Sequence, residues 1–303
     1  MEEIPSRSHR PQSTWPSAVA PLTSSTTTAH ANNACAKDGR DPSVPALNVY
    51  DFFAGIGKRV INPGGTAGRN RLIAALDIQP GSRILEIGCG SGHTACYLAE
   101  HFQCQVTAVD LSATMIAAAR RRVAEAGLQA RVHCETADIA WLPFAAHSFD
   151  YVIVQALLMF VDKARALTEI QRVLKPGGQF GAIEFAWHEP PPDSVRVSTQ
   201  EVCGCRVLEF HTCAQWADWL QRLRYQVIQT QEHAFGLLSI TGFIRDEGII
   251  NSLRVLSRVL RRRGNIQRMA QIWGHFARHR AHFRYALLTA RTPLVQAVNS
   301  GNG

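Results

Sequence analysis

The sequence of 303 residues lacks any apolar run that approaches the roughly 20 residues needed to cross a membrane. It also lacks a basic segment followed by an apolar segment at its start, which is the pattern of a secretory signal. Its eight cysteines include no Cys-x-x-Cys pair of the kind found in zinc sites. These absences argue against an integral membrane protein and predict a cytoplasmic protein without a bound metal.

Positive charge is concentrated in one part of the sequence. The formal net charge is +8, and residues 245–291 contain eleven arginines but only two acids, Asp246 and Glu247. Apolar residues recur in this part at helical spacing, namely Leu253, Leu256, Val259, Leu260, Met269, Ile272, Trp273 and Phe276. The pattern leaves open a lid or homodimer helix with a solvated basic face, or contact with an anionic membrane or substrate. Nucleic acid is not an expected partner, because no aromatic and basic binding module accompanies the charge.

The chain is predicted to divide into a tail and one domain. Residues 1–45 are rich in Ser, Thr, Pro, Ala and Asn and have no apolar period, which predicts a disordered tail. In residues 46–303, short apolar runs alternate with amphipathic stretches, the pattern of βαβ units around a parallel sheet. Residues 233–283 are mostly helical in pattern and precede the last apolar run. They are expected to form a helical lid or dimerisation insertion.

The apolar pattern predicts the elements of this domain individually. Strands are predicted at Arg83–Ile87, Gln105–Asp110, Arg131–Glu135, Tyr151–Gln155, Gln179–Phe185, Gln226–Gln231 and Tyr285–Thr289. Helices are predicted at His93–Phe102, Ala113–Ala126, Lys163–Leu174 and near Ala214–Leu223.

The most informative stretch is a glycine-dense turn between the first strand and the first helix. Gly88, Gly90 and Gly92 allow the backbone to turn tightly and to approach a ligand, and the helix N-terminus that follows favours an anionic group. The spacing differs from that of the dinucleotide fingerprint GxGxxG, which would place glycine where His93 stands. Glu86 lies inside the strand, where it would repel a pyrophosphate but can accept from a cationic amino group. The turn therefore favours a zwitterionic ligand.

Two further acids follow the next two strands. Asp110 ends the second strand, where a carboxylate can accept both hydroxyls of a ribose, and Asp138 follows the third, where it can accept from an adenine amino group. Ligands of open α/β sheets bind outside the carboxyl ends of the strands, so these two acids and Glu86 are expected at one crevice.

With these motifs the sequence resembles the class I S-adenosylmethionine-dependent methyltransferases, especially the small-molecule "type 11" group that includes the ubiquinone/menaquinone-biosynthesis enzymes. The resemblance covers roughly residues 48–232. It is carried by residues 85–92, Val109-Asp110-Leu111-Ser112, Ala137-Asp138, Leu142-Pro143-Phe144 with Ser148-Phe149-Asp150, and Arg172-Val173-Leu174-Lys175-Pro176-Gly177-Gly178. It implies a doubly wound, Rossmann-like α/β fold whose seven-stranded sheet is mostly parallel with an antiparallel last strand.

The resemblance also implies S-adenosylmethionine as the cofactor and a set of contacts to it. Glu86 and the turn residues Gly88, Cys89, Gly90 and Gly92 would hold the methionine part. The ribose would lie at Asp110 and Leu111, the adenine at Asp138 and Ile139, and the sulfonium near Gln155. Tyr50, Phe52, Phe53 and the turn at residues 62–65 would close over the cofactor.

The predicted reaction is methyl transfer to an O, N or C atom of a small, partly apolar organic molecule. In-line displacement from a sulfonium mainly requires positioning, and a base is needed only if the acceptor must lose a proton. Glu184 and His188 are the first candidates for such a base, with Glu189 and His93 beside them, although Glu184 is equally well explained as a structural acid.

Three other functions are kept open. A thiol or metalloid methyltransferase of the arsenite type would use Cys203, Cys205 and Cys213, because soft thiolates bind such elements. A non-catalytic regulatory protein would bind S-adenosylmethionine without transferring its methyl group. A nicotinamide oxidoreductase is disfavoured by the glycine spacing.

Overall fold

The computed structural model describes residues 48–236 and 240–294. The predicted tail at residues 1–45 lies outside these ranges. The first part of the described chain forms two helices, two βα units and a third strand, with the bounds α1 Val49–Gly55, α2 Gly65–Leu76, β1 Arg83–Ile87, α3 His93–Phe102, β2 Gln105–Asp110, α4 Ala113–Glu125 and β3 Val132–Thr136.

The second part completes the sheet and carries the helical insertion. Its elements are β4 Phe149–Gln155, a 3₁₀ turn at Leu158–Phe160, α5 Lys163–Val173, β5 Leu174–Trp187, α6 Asp193–Cys203, β6 His211–Thr212, α7 Cys213–Arg222, β7 Gln226–Ala234, α8 Ile240–Leu260, α9 Arg263–Arg278 and β8 Phe283–Arg291. None of the described helices is long and apolar enough to cross a membrane.

The strands form one sheet with the order β3-β2-β1-β4-β5-β8-β7. β8 runs antiparallel to both of its neighbours, and the other pairs are parallel. The predicted mostly parallel, seven-stranded sheet with an antiparallel last strand is confirmed. The two-residue strand β6 adds an eighth member by pairing His211 with Ala186 of β5.

Apolar residues of the central strands alternate between two faces of the sheet, and both faces are covered by helices. Leu85 and Ile87 belong to the core that includes α5 and α7, whereas Ile84 belongs to the core on the side of α2, α3 and α4. A third core joins α1 to α6 and the insertion, where Trp187 and Phe283 pack with their ring centroids 5.1 Å apart. The insertion is therefore packed against the carboxyl end of β5.

Two of the differences from the sequence-based expectations concern β5 and the insertion. β5 begins at Leu174, which pairs with Phe149, and the register then skips to Gln179 opposite Tyr151. Residues 175–178, expected to be a turn before the strand, form a bulge within it, and Gly177 takes a φ of +73° there. The apolar stripe of the insertion is also divided: Val259, Ile272 and Phe276 are buried, whereas Leu253, Leu256, Leu260 and Trp273 are exposed.

Candidate active site

A cavity with a volume of about 530 Å³ lies at the carboxyl ends of β1, β2 and β4. Its wall includes nine of the ten residues expected to bind the cofactor: Glu86, Gly88, Cys89, Gly90, Asp110, Leu111, Asp138, Ile139 and Gln155. The tenth, Gly92, lies behind the wall and begins α3 with a φ of +76°. A Cβ at Gly92 would lie 3.1 Å from that of Ala119, so glycine there lets α3 pack closely against α4.

The glycine turn is fixed to the neighbouring strand by its backbone. The N–H groups of Gly88 and Cys89 both donate to the carbonyl of Val109, at 2.8 and 3.0 Å. Gly88 has a φ of +72°, and a Cβ there would lie 3.1 Å from Cδ2 of Leu157. The turn thus presents bare backbone to the cavity, and a side chain at Gly88 would be both strained and crowded.

Glu86 supplies a buried acid with an unused oxygen. Its Oε2 has no hydrogen-bond partner within the described residues. Burial raises the pKa of Glu86 to about 8, against the opposing effects of the Ala95 N–H, the Thr94 hydroxyl and the positive charge of Arg69. Because an unpaired buried carboxylate is costly, this oxygen is suited to accept from a cationic group of a ligand.

Asp110 holds the turn and also faces the cavity. Its Oδ2 accepts the N–H of Gly90 at 2.9 Å, and its Oδ1 accepts that of Ser112 at 2.9 Å. Burial raises the pKa of Asp110, and these two N–H groups oppose that rise. Each oxygen keeps a second lone pair for ligand hydroxyls. Asp138 is arranged in a similar way, with its Oδ1 accepting the N–H of Ala140 at 2.9 Å.

The same cavity is also lined by a group of polar side chains, Asn62, His93, Thr94 and Gln155. Gln155 Nε2 donates to the Thr94 hydroxyl at 3.0 Å, and its Oε1 accepts from Asn62 Nδ2 at 3.1 Å. Oδ1 of Asn62 and Nε2 of His93 are buried and have no partner among the described residues. Burial, with Arg122, Arg59 and Arg69 nearby, lowers the pKa of His93 to about 3, so its imidazole is neutral.

Residues 57–66, here named the rim, form a further part of the wall, and of these the resemblance implied only the turn at residues 62–65. Glu247 of α8 accepts the N–H groups of Arg59 and Val60 on its Oε1, at 2.8 and 3.1 Å. The buried ammonium of Lys58 lies 3.5 Å from the same oxygen. Asn251 donates to Oε2 at 2.6 Å. The insertion therefore holds the rim of the cavity.

A second acid of α8 strengthens this attachment. Oδ1 of Asp246 accepts both the N–H and the hydroxyl of Thr66, at 3.0 and 2.7 Å. Sequence reasoning did not assign a role to Asp246 or Glu247, because their partners lie about 180 positions away in the chain. The one available signal was that they are the only acids in the arginine-rich segment.

The structure places the first two candidates for a base, Glu184 and His188, outside this wall. Glu184 is fully buried beneath the loop after β4, where its Oε1 accepts the N–H groups of Leu157 and Leu158 at 3.0 Å each. Burial raises the pKa of Glu184 to about 7, and the N–H groups of that loop oppose the rise. His188 is exposed, with its Nδ1 2.8 Å from Oε1 of Glu232, and Glu189 is exposed beside it. Of the four candidates, the described wall of the cavity includes only His93.

The cysteines proposed for a metalloid site do not form one cluster. Cys203 and Cys205 belong to the third core, whereas Cys213 packs against the core of α5 and α7. Burial raises the pKa of Cys203 to about 12 and that of Cys213 to about 11, so thiolates are disfavoured. In residues 48–236 and 240–294 no group of three or more His, Cys, Asp or Glu side chains is placed to hold a metal ion.

Comparison with known proteins decides the family. The model of a methyltransferase domain matches residues 84–178. The uncharacterized methyltransferase YodH of Bacillus subtilis is 33% identical over 165 residues, which cover 54% of this chain and 69% of that protein. The chain belongs to the class I S-adenosylmethionine-dependent methyltransferases. The prediction from the five motifs is confirmed.

A further relative of this methyltransferase agrees with the assignment, and a solved structure shares its fold. The ubiquinone/menaquinone biosynthesis C-methyltransferase UbiE of Geotalea daltonii is 30% identical over 141 residues, which cover 45% of this chain and 58% of that protein. The solved structure of phosphoethanolamine N-methyltransferase 2 from Haemonchus contortus, in complex with phosphomonomethylethanolamine and S-adenosylhomocysteine, has a TM-score of 0.61 and 22% identity. That match covers 80% of this chain and 56% of the other.

S-adenosylmethionine is the cofactor of this methyltransferase, and the cavity fits it. The unpartnered Oε2 of Glu86 suits the cationic amino group. No described atom lies within 4 Å of a Cβ built at Gly90, which leaves space for a ligand against the turn. Arg69 lines the same cavity and provides a positive charge for a carboxylate.

Proposed function

We propose that this methyltransferase transfers the methyl group to a small organic molecule that has an apolar portion. The observation that supports this proposal is a second cavity, which shares Tyr50 and Ile61 with the first. Its lining is apolar and mostly aromatic, and consists of Val49, Tyr50, Phe53, Ile61, Phe185, Cys203, Leu208, Phe210, Phe235, Ile272 and Phe276. An apolar compartment next to the cofactor favours an acceptor with an apolar part.

The contacts of the first cavity support one orientation of the cofactor. Glu86 accepts from the amino group, while Arg69 and the N-terminus of α3 bind the carboxylate. Asp110 with Leu111 holds the ribose, and Asp138 with Ile139 holds the adenine. The sulfonium then lies near Gln155, on the side of Tyr50 and Asn62. Both of these residues belong to the wall that the acceptor must approach.

The second cavity is narrow, with a volume of about 20 Å³. An acceptor can enter only if aromatic side chains move apart. Ile272 and Phe276 belong to α9, so the insertion acts as a lid over the acceptor. The UbiE relative, a ubiquinone/menaquinone biosynthesis C-methyltransferase, supports an acceptor of this general type.

The chemistry requires positioning more than proton transfer. S-adenosylmethionine supplies a methyl group on a positively charged sulfur. The chain aligns the acceptor for in-line attack and excludes water with Tyr50, Ile61 and Phe160. Asn62 Oδ1 accepts a hydrogen bond from a hydroxyl or amine of the acceptor. His93, with its low pKa, is a weak base, which suits an acceptor whose nucleophile needs little deprotonation.

The test uses Ile272→Trp, which fills the second cavity, and a series of hydroquinones with alkyl chains of increasing length. Formation of S-adenosylhomocysteine is measured for each acceptor, and the Kd for S-adenosylmethionine is measured by calorimetry. We expect the wild type to prefer longer chains, and the variant to lose this preference while it keeps the cofactor Kd. Val197→Trp, at an exposed position of α6, is the control.

Two results would oppose the proposal. If chain length has no effect on the wild-type rate, the second cavity does not bind the acceptor. If the wild type binds S-adenosylmethionine but releases no demethylated product with any hydroquinone, amine or thiol, the chain fits the non-catalytic alternative. Activity on arsenite that is lost in Cys203→Ser would instead support the metalloid alternative.

A further inference from the structure

The outer face of α8 carries a continuous row of exposed apolar side chains. Ile249, Leu253, Leu256 and Leu260 are 70, 62, 51 and 60% exposed. Their spacings of four, three and four residues place them on one side of the helix. Asn251, Val255 and Val259 are buried on the opposite side. We name the four exposed residues the outer stripe.

The outer stripe has apolar neighbours on the same two helices. Ile250 is 69% exposed next to it, and Ile266 and Trp273 are exposed on α9, which packs against α8. Ile266 and Trp273 are seven residues apart and so share one face of α9. Single exposed apolar residues need no explanation, but a row of this length marks an interaction surface.

The polar residues around the outer stripe are cationic. Arg254 is exposed on α8 beside the stripe, and Arg261, Arg262 and Arg263 follow at the junction with α9. The only acids in residues 240–278 are Asp246 and Glu247. Both are engaged with the rim, so they do not neutralise the outer surface. The exposed face of the insertion is therefore apolar in its centre and positive at its border.

This charge distribution selects one kind of partner. A second copy of the chain on a two-fold axis would bring the same arginines face to face, and like charges oppose such an interface. A nucleic acid would match the arginines but not the aliphatic centre. A membrane with anionic lipids matches both, because acyl chains receive the apolar side chains while headgroups pair with arginines. We propose that α8 docks this methyltransferase on an anionic membrane surface.

The position of α8 connects this surface to the cofactor cavity. The side chains of Glu247 and Asn251 on its inner side contact the rim, and Arg258 donates to the carbonyl of Ile56 at 3.3 Å. A membrane bound to the outer face would therefore lie one helix away from the rim. This inference extends the proposed function but does not rest on it, since docking is measured without an acceptor.

The test is flotation of the full chain with vesicles of phosphatidylcholine alone or mixed with phosphatidylglycerol. We expect binding to the mixed vesicles, weaker binding at high salt, and little binding to phosphatidylcholine alone. Arg254→Gln with Arg261→Gln should reduce binding about fivefold for each arginine removed. Leu253→Ser with Leu256→Ser should reduce binding to the mixed vesicles at least about tenfold, because the variant lacks two apolar side chains that would be buried among the acyl chains. Each variant should keep the circular dichroism spectrum and the cofactor Kd.

Arg121→Gln on α4 and Val197→Ser on α6 are matched controls at exposed positions, and they should bind like the wild type. Equal binding of all variants, or no binding to the mixed vesicles, would overturn the proposal. A stable dimer in analytical ultracentrifugation that the two serine substitutions dissociate would assign the surface to a second copy instead. Binding to a DNA duplex that depends on the arginines but not on the leucines, without binding to vesicles, would contradict it as well.

Discussion

Glu247 accepts the backbone N–H of Arg59 at 2.8 Å, although 188 positions separate the two residues in the chain. The same carboxylate oxygen accepts from Val60 and lies near the ammonium of Lys58. Since Arg59 and Val60 line the cofactor cavity, the helical insertion is part of the architecture of that cavity. Its contribution is to fix the rim.

The first prediction concerns this attachment. Glu247→Ala removes the carboxylate that lies 3.5 Å from the buried ammonium of Lys58 and frees two backbone N–H groups of the rim. We expect a loss of about 3–5 kcal/mol in the free energy of unfolding, which is typical when one partner of a buried pair is removed. We also expect a weaker Kd for S-adenosylmethionine. Urea unfolding and calorimetry measure the two effects.

Glu201→Ala is the control, because Glu201 is exposed on α6. It should change neither quantity beyond about 0.5 kcal/mol. An unchanged cofactor Kd in Glu247→Ala, with the protein folded, would show that the rim is not held for the cofactor.

The second prediction is a pH dependence that originates at Glu86. Its pKa is raised to about 8, so the free protein carries a protonated carboxyl below that pH. The cationic amino group of the cofactor needs the ionised carboxylate of Glu86. The binding of S-adenosylmethionine should therefore weaken as the pH falls from 9 to 6, by up to about tenfold for each unit of pH. Calorimetry across this range measures the slope.

Glu86→Gln separates this effect from titration of the cofactor itself. The variant should bind more weakly at pH 9 and show a smaller dependence on pH. The same slope in both proteins would assign the titration to another group.

The third prediction concerns Glu184 as a positioning residue for the loop after β4. Its pKa is raised by burial to about 7, above the ordinary value of 4.5. The folded protein therefore binds a proton that the unfolded chain releases, and this contribution to stability is lost as the pH rises from about 4.5 through 7. Relative to Glu184→Gln, the wild type should lose on the order of 3 kcal/mol over this range.

The measurement is the difference in urea unfolding free energy between wild type and Glu184→Gln from pH 5 to pH 8. Glu86 is present in both proteins, so the effect of its titration on the unfolding free energy cancels in this difference. The glutamine still offers an oxygen to Leu157 and Leu158, so methyl transfer should continue. A difference that does not change with pH, or activity abolished by glutamine with the fold intact, would contradict the positioning role.

The fourth prediction compares two glycines in left-handed conformation. Gly88 has a φ of +72° and faces Leu157, whereas Gly81 has a φ of +78° with no described atom within 4 Å of a built Cβ. Alanine at either position should cost about 1–2 kcal/mol of backbone strain. Only Gly88→Ala should also weaken cofactor binding. Equal binding by both variants would mean that the turn does not contact the cofactor.

Much of the fold was predictable because its signals are local. The bounds of β1, α3 and β2 agree with the prediction residue by residue, since apolar periods and glycines mark each end. α2 was not predicted, because glycines at Gly65 and Gly68 favour a turn more than a helix. Gly64, just before this helix, is glycine for a reason that local sequence does not contain, since a Cβ there would lie 2.9 Å from Cα of Gly68 and 3.0 Å from the ring of Tyr285.

The candidate site also has a part that was predictable and a part that was not. The cavity wall around the glycine turn was predictable, because its motifs lie within one βαβ unit, and the residues predicted there lie together. The attachment of the rim to Asp246 and Glu247 could not be predicted in this way, because each of its hydrogen bonds joins distant parts of the chain. Glu184 and His188 were expected near the acceptor because both lie at the end of one strand. The side chain of Glu184 is directed beneath the loop instead, and His188 lies beyond the cavity beside Glu232.

The most direct test of the account is calorimetric titration of the full chain with S-adenosylmethionine and, separately, with NAD. The variants are Asp110→Ala and, as a control, Asp218→Ala on the exposed side of α7. The account predicts binding of S-adenosylmethionine by the wild type and by Asp218→Ala, loss of that binding in Asp110→Ala, and no binding of NAD. Binding of S-adenosylmethionine that survives in Asp110→Ala, or preference for NAD, would contradict it.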